Sequence, residues 1–426
     1  MVELLFQGAE PSARRYTLAH SPPTRYSPAV IPLVPFADVD RRTAWVRGTL
    51  LLATLLGLIA SAPVWLNTRT FPLLPIASWF PILPPPWDKV LFGMMLAALV
   101  AAAWFYRVAV IIFLITSLAA YCGDQNRGQP WLYMYWAMLL LTLLPTSAVL
   151  PACRVAFATV YLWGGIQKCN ARFFDQVPAW FVSPAADWHL PAFLLDALRW
   201  AAASAPFLEI AIAVGLWFPR SRRPGLVAII VLHLFAVVFL GPLGHNYNWV
   251  VWPWNLAMIA LAWALFPWTP KAKRDEASIA NTFSAVRGSK SALTVLLPFL
   301  LLPILSYRGK WDSAFSFALY SESNATANLF VTQSFADRLA PGLRAYVVSY
   351  PQYDPQFQGP FLFNFGAWAY EELQVPPLSE PRAFRSVFNA LRQYANEPVD
   401  LRMIVGERGG RVMFYQGDSS WPLQAK

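Results

Sequence analysis

Lys168, Glu209, His233, His245, Asn246 and Asn255 are the residues of this chain hardest to explain by packing, because each lies in or beside an apolar stretch. Lys168 closes the apolar run 155–167 within the string Tyr161-Leu-Trp-Gly-Gly-Ile-Gln-Lys168. An ionisable group at membrane depth is costly, so its presence points to a function. An apolar surrounding penalises the ammonium form, and a neutral amine can act as a general base or nucleophile. The bland alternative is a helix-end lysine that snorkels to the headgroups. Glu209 is the intramembrane carboxylate expected to pair with a lysine or histidine. His233 and Asn255 also lie inside apolar stretches and need polar partners. Structural pairing explains any one of these residues, but a packed bundle does not need so many on five successive segments. Trp252, in Trp252-Pro-Trp-Asn255, joins His245, Asn246, Glu209 and Asn255 as a candidate binding residue. No Gly-rich phosphate loop, Ser-His-Asp ordering or carboxylate pair at metal-ligand spacing is present, and Cys122, Cys153 and Cys169 form no CxxC.

The elements that must position these residues are membrane helices. Hydrophobic residues make up 57% of the 426 and charged residues only 13%, against roughly a quarter charged in soluble domains. The expected fold is a polytopic α-helical membrane protein with about nine transmembrane helices and a small C-terminal α+β extramembrane domain. The spans fall near 47–66, 89–106, 108–122, 131–146, 150–167, 200–218, 226–243, 249–267 and 291–306. Only Arg107 separates the second from the third, which demands a tight hairpin. The net charge of +10 sits mostly in short loops, where it reads as topology information and not as a nucleic-acid surface. Arg14, Arg15, Arg25, Arg41, Arg42 and Arg47 precede or open the first span. Arg220, Arg222 and Arg223 follow the sixth, and Lys271, Lys273, Arg274, Arg287 and Lys290 follow the eighth. With nine spans all three groups face one side, which the positive-inside rule makes cytoplasmic. Lys168, the loop 241–249 and everything after Ser306 then face the other side, periplasmic in a bacterial inner membrane.

Three regions follow. Residues 1–44 read as a poorly ordered cytoplasmic segment, Pro- and Arg-rich, with Met1–Gly8 resembling a protease-site scar. Residues 45–306 form the helical domain. Residues 307–426 read as short strands at 316–320, 328–332, 345–350, 361–368, 401–405 and 411–415, with an amphipathic helix at 381–394. The stretch from Lys168 to Trp180, continuing to Asp187-Trp-His189, reads as an interfacial or re-entrant segment anchored by Trp180 and Trp188.

The string Tyr161–Lys168 resembles a segment of vitamin-K-dependent gamma-glutamyl carboxylase and of its bacterial HTTM (horizontally transferred transmembrane) relatives. The order of features over about 45–306 is similar too: Gly165-Ile-Gln-Lys168, an aromatic Pro-containing connection, a span with His233, a Gly-Pro-Leu-Gly turn and the Trp-rich run 249–254. The resemblance implies Lys168 as the base that deprotonates a reduced quinone, which then reacts with oxygen. The strong base so formed takes a glutamyl γ-proton before carbon dioxide adds. It also matches His233 to a histidine of that family. The chain departs from the pattern at Gln167, at Asn170-Ala-Arg172, and at Leu-Phe-Ala after His233. The expected partners are the lipid bilayer, a lipid-soluble quinone and a periplasmic or lumenal protein docking on 307–426, with no nucleic acid. The competing readings are a non-catalytic scaffold acting through the C-terminal domain and, on weaker grounds, a transporter, for which no inverted repeat is found.

Overall fold

The computed structural model describes residues 40–268, 276–350, 361–408 and 410–416, within the compact unit Val34–Lys426. The expectations for Met1–Gly8, Arg14, Arg15, Arg25, Lys271, Lys273 and Arg274 lie outside the described residues. The first helix among the described residues starts at Arg41, before the expected boundary at 45. Helix α1 (Arg41–Ala60) starts where Asp40 accepts hydrogen bonds from the backbone N–H groups of Arg42 and Thr43, an N-cap that satisfies orphan donors of the first turn.

Each of the nine apolar stretches becomes a helix. They are α1, α2 (Trp87–Ala101), α3 (Tyr106–Gly123), α4 (Pro130–Leu141), α5 (Thr146–Lys168), α7 (Ala192–Gly215), α8 (Pro219–Leu240), α9 (Val251–Leu265) and α11 (Lys290–Leu301). Among the described residues, six helical runs are long and apolar enough to cross a membrane: α1, α3, α5, α7, α8 and Lys290–Arg308, in which a 3-10 turn extends α11. Helices α2, α4 and α9 have only 15, 12 and 15 residues, short of the ~20 that span the hydrocarbon core. Most of α4 is buried inside the bundle, and a helix shielded from lipid need not match the bilayer's thickness. Arg107 lies inside α3, and the turn before it is 102–105.

Besides a single helical turn at Ala62–Trp65, two helices lie in the connections between these runs. The polar stretch after Lys168 folds as α6 (Ala171–Val182), capped by the Asn170 side chain at Phe173 N, followed by a 3-10 turn at Ser183–Trp188. Helix α10 (Ile279–Arg287) lies before α11. Buried arginines close the helix ends by donating to terminal carbonyls: Arg47 to Thr142, Arg154 to Leu265 and Glu276, and Arg222 to Leu216. At the opposite end Arg127 donates to Val64, Trp65 and Ala120.

The C-terminal region carries an antiparallel five-stranded sheet of order β2-β3-β1-β4-β5. The strands are β1 (Thr326–Val331), β2 (Val347–Ser349), β3 (Phe361–Phe363), β4 (Leu401–Gly406) and β5 (Val412–Gln416). Leu401, Met403 and Val405 alternate inward from β4, as a half-buried strand requires. Helices α12 (Gln333–Arg338), α13 (Phe365–Leu373) and α14 (Pro381–Arg392) pack with it, along with a single helical turn at Pro341–Arg344. Two strand expectations fail. The run 361–368 is a strand only to Phe363, because Asn364 caps α13 by accepting from Ala367 N. The run 316–320 is a 3-10 turn followed by left-handed Phe317 and Tyr320. Its apolar character serves the bundle instead: Phe317 is fully buried, against Phe299 and Tyr133.

This region is packed onto the bundle. Glu372 accepts from Thr70 Oγ1 at 2.5 Å and Phe71 N at 2.6 Å, and Phe71 meets Trp368 edge to face. Arg382 Nε donates to Gln125 Oε1 at 2.7 Å, and Tyr247 stacks on Tyr370.

Candidate functional site

Helices α5 and α7 cross at two glycines. A Cβ on Gly165 would stand 2.6 Å from the Pro206 carbonyl oxygen, and one on Gly164 would stand 2.7 Å from Glu209 Oε2. Small residues at such a crossing let two membrane helices approach closely. One consequence is that Glu209 of α7 lies against the face of α5 that bears Tyr161, Gly164 and Lys168, which recur at i, i+3 and i+7.

Lys168 turns back into the bundle. Its Nζ donates to Gly164 O at 3.1 Å and to Glu209 Oε1 and Oε2 at 3.1 and 3.0 Å. The two side chains are only 11% and 12% exposed. A headgroup-directed lysine would leave Glu209 without this partner, and an uncompensated buried charge is costly. The bond to Gly164 O holds the side chain against the last turn of α5.

A second cluster faces the same space. Asn255 Nδ2 donates to Val251 O at 2.6 Å, which turns its Oδ1 toward His233 Nδ1 at 2.6 Å. Since Oδ1 only accepts, Nδ1 carries the proton and Nε2 is the acceptor. Tyr161 Oη lies 2.5 Å from Nε2 and donates to it. The result is a chain running Tyr161 to His233 to Asn255 to the backbone of α9.

Lys168, Glu209, Tyr161, His233 and Asn255 line a single cavity of about 160 Å³. The remaining wall is mainly apolar, with Phe173 and Phe181 of α6, Phe235 of α8 and Met258 of α9. Exposed Ala201 and half-buried Ala205 of α7 also lie on it. Phe317, Leu319 and Tyr320 close it from the C-terminal region. Gln167, adjacent to Lys168 and oriented away from the cavity, bonds Ser306 and accepts from Arg408 of the β4–β5 hairpin. Asn170 donates to Gln167 O and Ser321 O, tying the end of α5 to the same region.

Of the sequence candidates, the fold brings Lys168, Glu209, His233 and Asn255 together and leaves three elsewhere. His245 stacks on Trp180 and bonds its carbonyl at 2.9 Å. Asn246 occupies a left-handed turn position, and Trp252 stacks on Trp249 and packs over Gly241. These three shape the 241–250 turn and do not line the cavity. Tyr161, Trp254 and Tyr320 are the polar-bearing cavity residues that the sequence did not single out as candidates. The one-face spacing of Tyr161 with Lys168 was the available signal for the first, and nothing local marks Tyr320.

No family model matches this chain, and no curated protein or solved structure matches it.

Proposed function

We propose that this integral membrane protein binds a lipid-soluble aromatic molecule bearing hydroxyl or carbonyl groups, of the reduced-quinone class, and moves a proton to or from it. One observation carries the reading: an ion pair and a Tyr–His–Asn chain, drawn from four helices, converge on one apolar cavity. Packing alone does not call for such an arrangement. A cavity of about 160 Å³ is the scale of an aromatic ring, since ~150 Å³ holds benzene. The apolar wall fits a ring, and the two polar clusters fit oxygens on it.

A reduced quinone would supply a hydroxyl whose deprotonation prepares the ring for reaction with oxygen. The residues of the chain do the rest. Lys168 Nζ passes a proton to the Glu209 carboxylate across the 3.0 Å bond and, as the amine, takes one from the bound hydroxyl. Lys168 is then again an ammonium, next to the charge it has created. His233 Nε2 holds the Tyr161 proton, so Tyr161 Oη is oriented as an acceptor toward the cavity. Phe317, Leu319 and Tyr320 of the C-terminal region form the wall over these groups. This lining is also why we favour a binding site over a free-standing anchor, in which 307–426 would work without the bundle. The likeness of Tyr161–Lys168 to the HTTM and carboxylase segment supports the same class of ligand.

The test uses the full chain in lipid nanodiscs and 2-methyl-1,4-naphthohydroquinone under anaerobic conditions, read by quenching of tryptophan fluorescence. Saturable binding is expected, weakened at least about tenfold by His233→Leu and abolished by Ala205→Trp, which fills the cavity. Unsaturable binding, or binding indifferent to Ala205→Trp, would refute the reading.

A further inference from the structure

A second cavity, of about 220 Å³, lies beyond the first. Val251, Trp254, Leu319 and Tyr320 line both, so these four side chains form the wall between them. The second cavity differs in character. Trp131, Asn248, Trp254, Tyr320 and Asn324 line it, and each carries a buried polar atom with no hydrogen-bond partner among the described residues: Nε1, Oδ1, Nε1, Oη and Oδ1 respectively. Trp131 and Asn248 are themselves only 3% and 8% exposed. Buried polar atoms are nearly always paired, and a cluster without partners around one space calls for a ligand or ordered water.

We propose that this cavity binds a small neutral, water-soluble molecule carrying both an acceptor oxygen and N–H or O–H donors, as a carboxamide does. The orphan atoms are complementary to that pattern, because two indole N–H groups require acceptors, two amide oxygens require donors, and the Tyr320 hydroxyl can serve as either. Charge argues in the same direction. Glu322 is the only charged residue of the lining, so an anion would find no cation to pair with. A cation would leave both indole N–H groups unsatisfied. The space exceeds the first cavity, and polar Ser321, Glu322 and Ser379 of the C-terminal region are part of its lining. The chain thus has one chamber for an apolar molecule and one for a polar molecule, meeting at Trp254 and Tyr320. This second site does not rest on the quinone reading.

The experiment titrates N-acetylglycinamide into the full chain in nanodiscs, followed by saturation-transfer NMR on the probe, with sodium acetate as the charged comparator. Expected are saturable binding of the amide, much weaker binding of acetate, and about tenfold weaker amide binding in both Trp131→Phe and Trp254→Phe, which keep the ring and remove the donor. The amide should bind unchanged in His233→Leu, so that failure of the first site and failure of the second are distinguishable. An absent or unsaturable amide signal in the wild-type chain would mean that the cavity holds ordered water only and would overturn the proposal. Equal affinity for acetate, or affinity untouched by both Trp→Phe changes, would overturn it as well.

Discussion

At the scale of single residues, Lys168 owes its position to Glu209 and Gly164. All three Nζ–H directions are taken, two by the carboxylate and one by the Gly164 carbonyl. Removing the lysine alone therefore does more than delete a base, because it strands Glu209 in an apolar cavity. Breaking one half of a buried pair costs about 3–5 kcal/mol, whereas replacing both halves with apolar groups is often neutral. Lys168→Met should accordingly lower stability by about that amount, and Lys168→Met with Glu209→Leu should recover most of it. Denaturant unfolding in detergent micelles checks this, and equal loss in the single and double variants would mean that the two side chains do not act as a pair. The double variant is also the cleaner probe of proton transfer, since it separates chemistry from folding. Lys168, Glu209, His233 and Asn255 were legible in the sequence because each is polar where the chain is otherwise apolar. Tyr161 was not, since a tyrosine in a membrane helix draws no notice until His233 is placed 2.5 Å from its hydroxyl.

Between elements, the C-terminal sheet is held by a carboxylate that sequence periodicity does not reveal. Asp400, at the start of β4, accepts from Thr332 Oγ1 at 2.7 Å and Ser334 Oγ at 3.1 Å, from the N–H groups of Asn396 and Glu397, and from Arg338. Burial alone would raise its pKa, but these donors outweigh it and hold the carboxyl down at about 2. A depressed carboxylate stabilises the fold above its unfolded pKa of about 4, and the contribution disappears as pH falls through about 2. The shift corresponds to about 2 kcal/mol. Asp400→Asn should thus be less stable than the wild type by about 2 kcal/mol at pH 6, with the gap closing between pH 4 and pH 2. Paired unfolding curves across that range test it, and a gap that persists at pH 2 would assign the effect to packing. Strand and helix boundaries in this region were readable where alternation was regular, as at β1, β4 and α14. They were misread at 316–320, where apolar residues pack on Tyr133 and Phe299 instead of pairing with a strand.

Across the whole molecule, the connections near 66–86, 123–130, 168–191 and 241–250 gather at one end of the bundle with the C-terminal region, as their mutual hydrogen bonds require. The basic stretches at Arg41, Arg222 and Arg287 belong to the other. Charge asymmetry would place that second end in the cytoplasm. Exposed Cys169 should then react with a membrane-impermeant maleimide in intact cells, and buried Cys153 should not. A cysteine at Arg287, in a Cys122→Ser, Cys169→Ser chain, should react only after permeabilisation; the opposite pattern would invert the orientation.

Composition and apolar periodicity by themselves determined that the chain is membrane-embedded, where its helices lie, and which polar residues are out of place in them, because burial in lipid leaves a strong imprint on residue type. Helix length and contact were decided only by the tertiary structure. The glycine crossing of α5 on α7, the closure of the cavity by 317–320 and the orphan atoms of the second chamber all depend on distances between segments far apart in the chain. No local pattern encodes these, because what fixes each is the partner it meets.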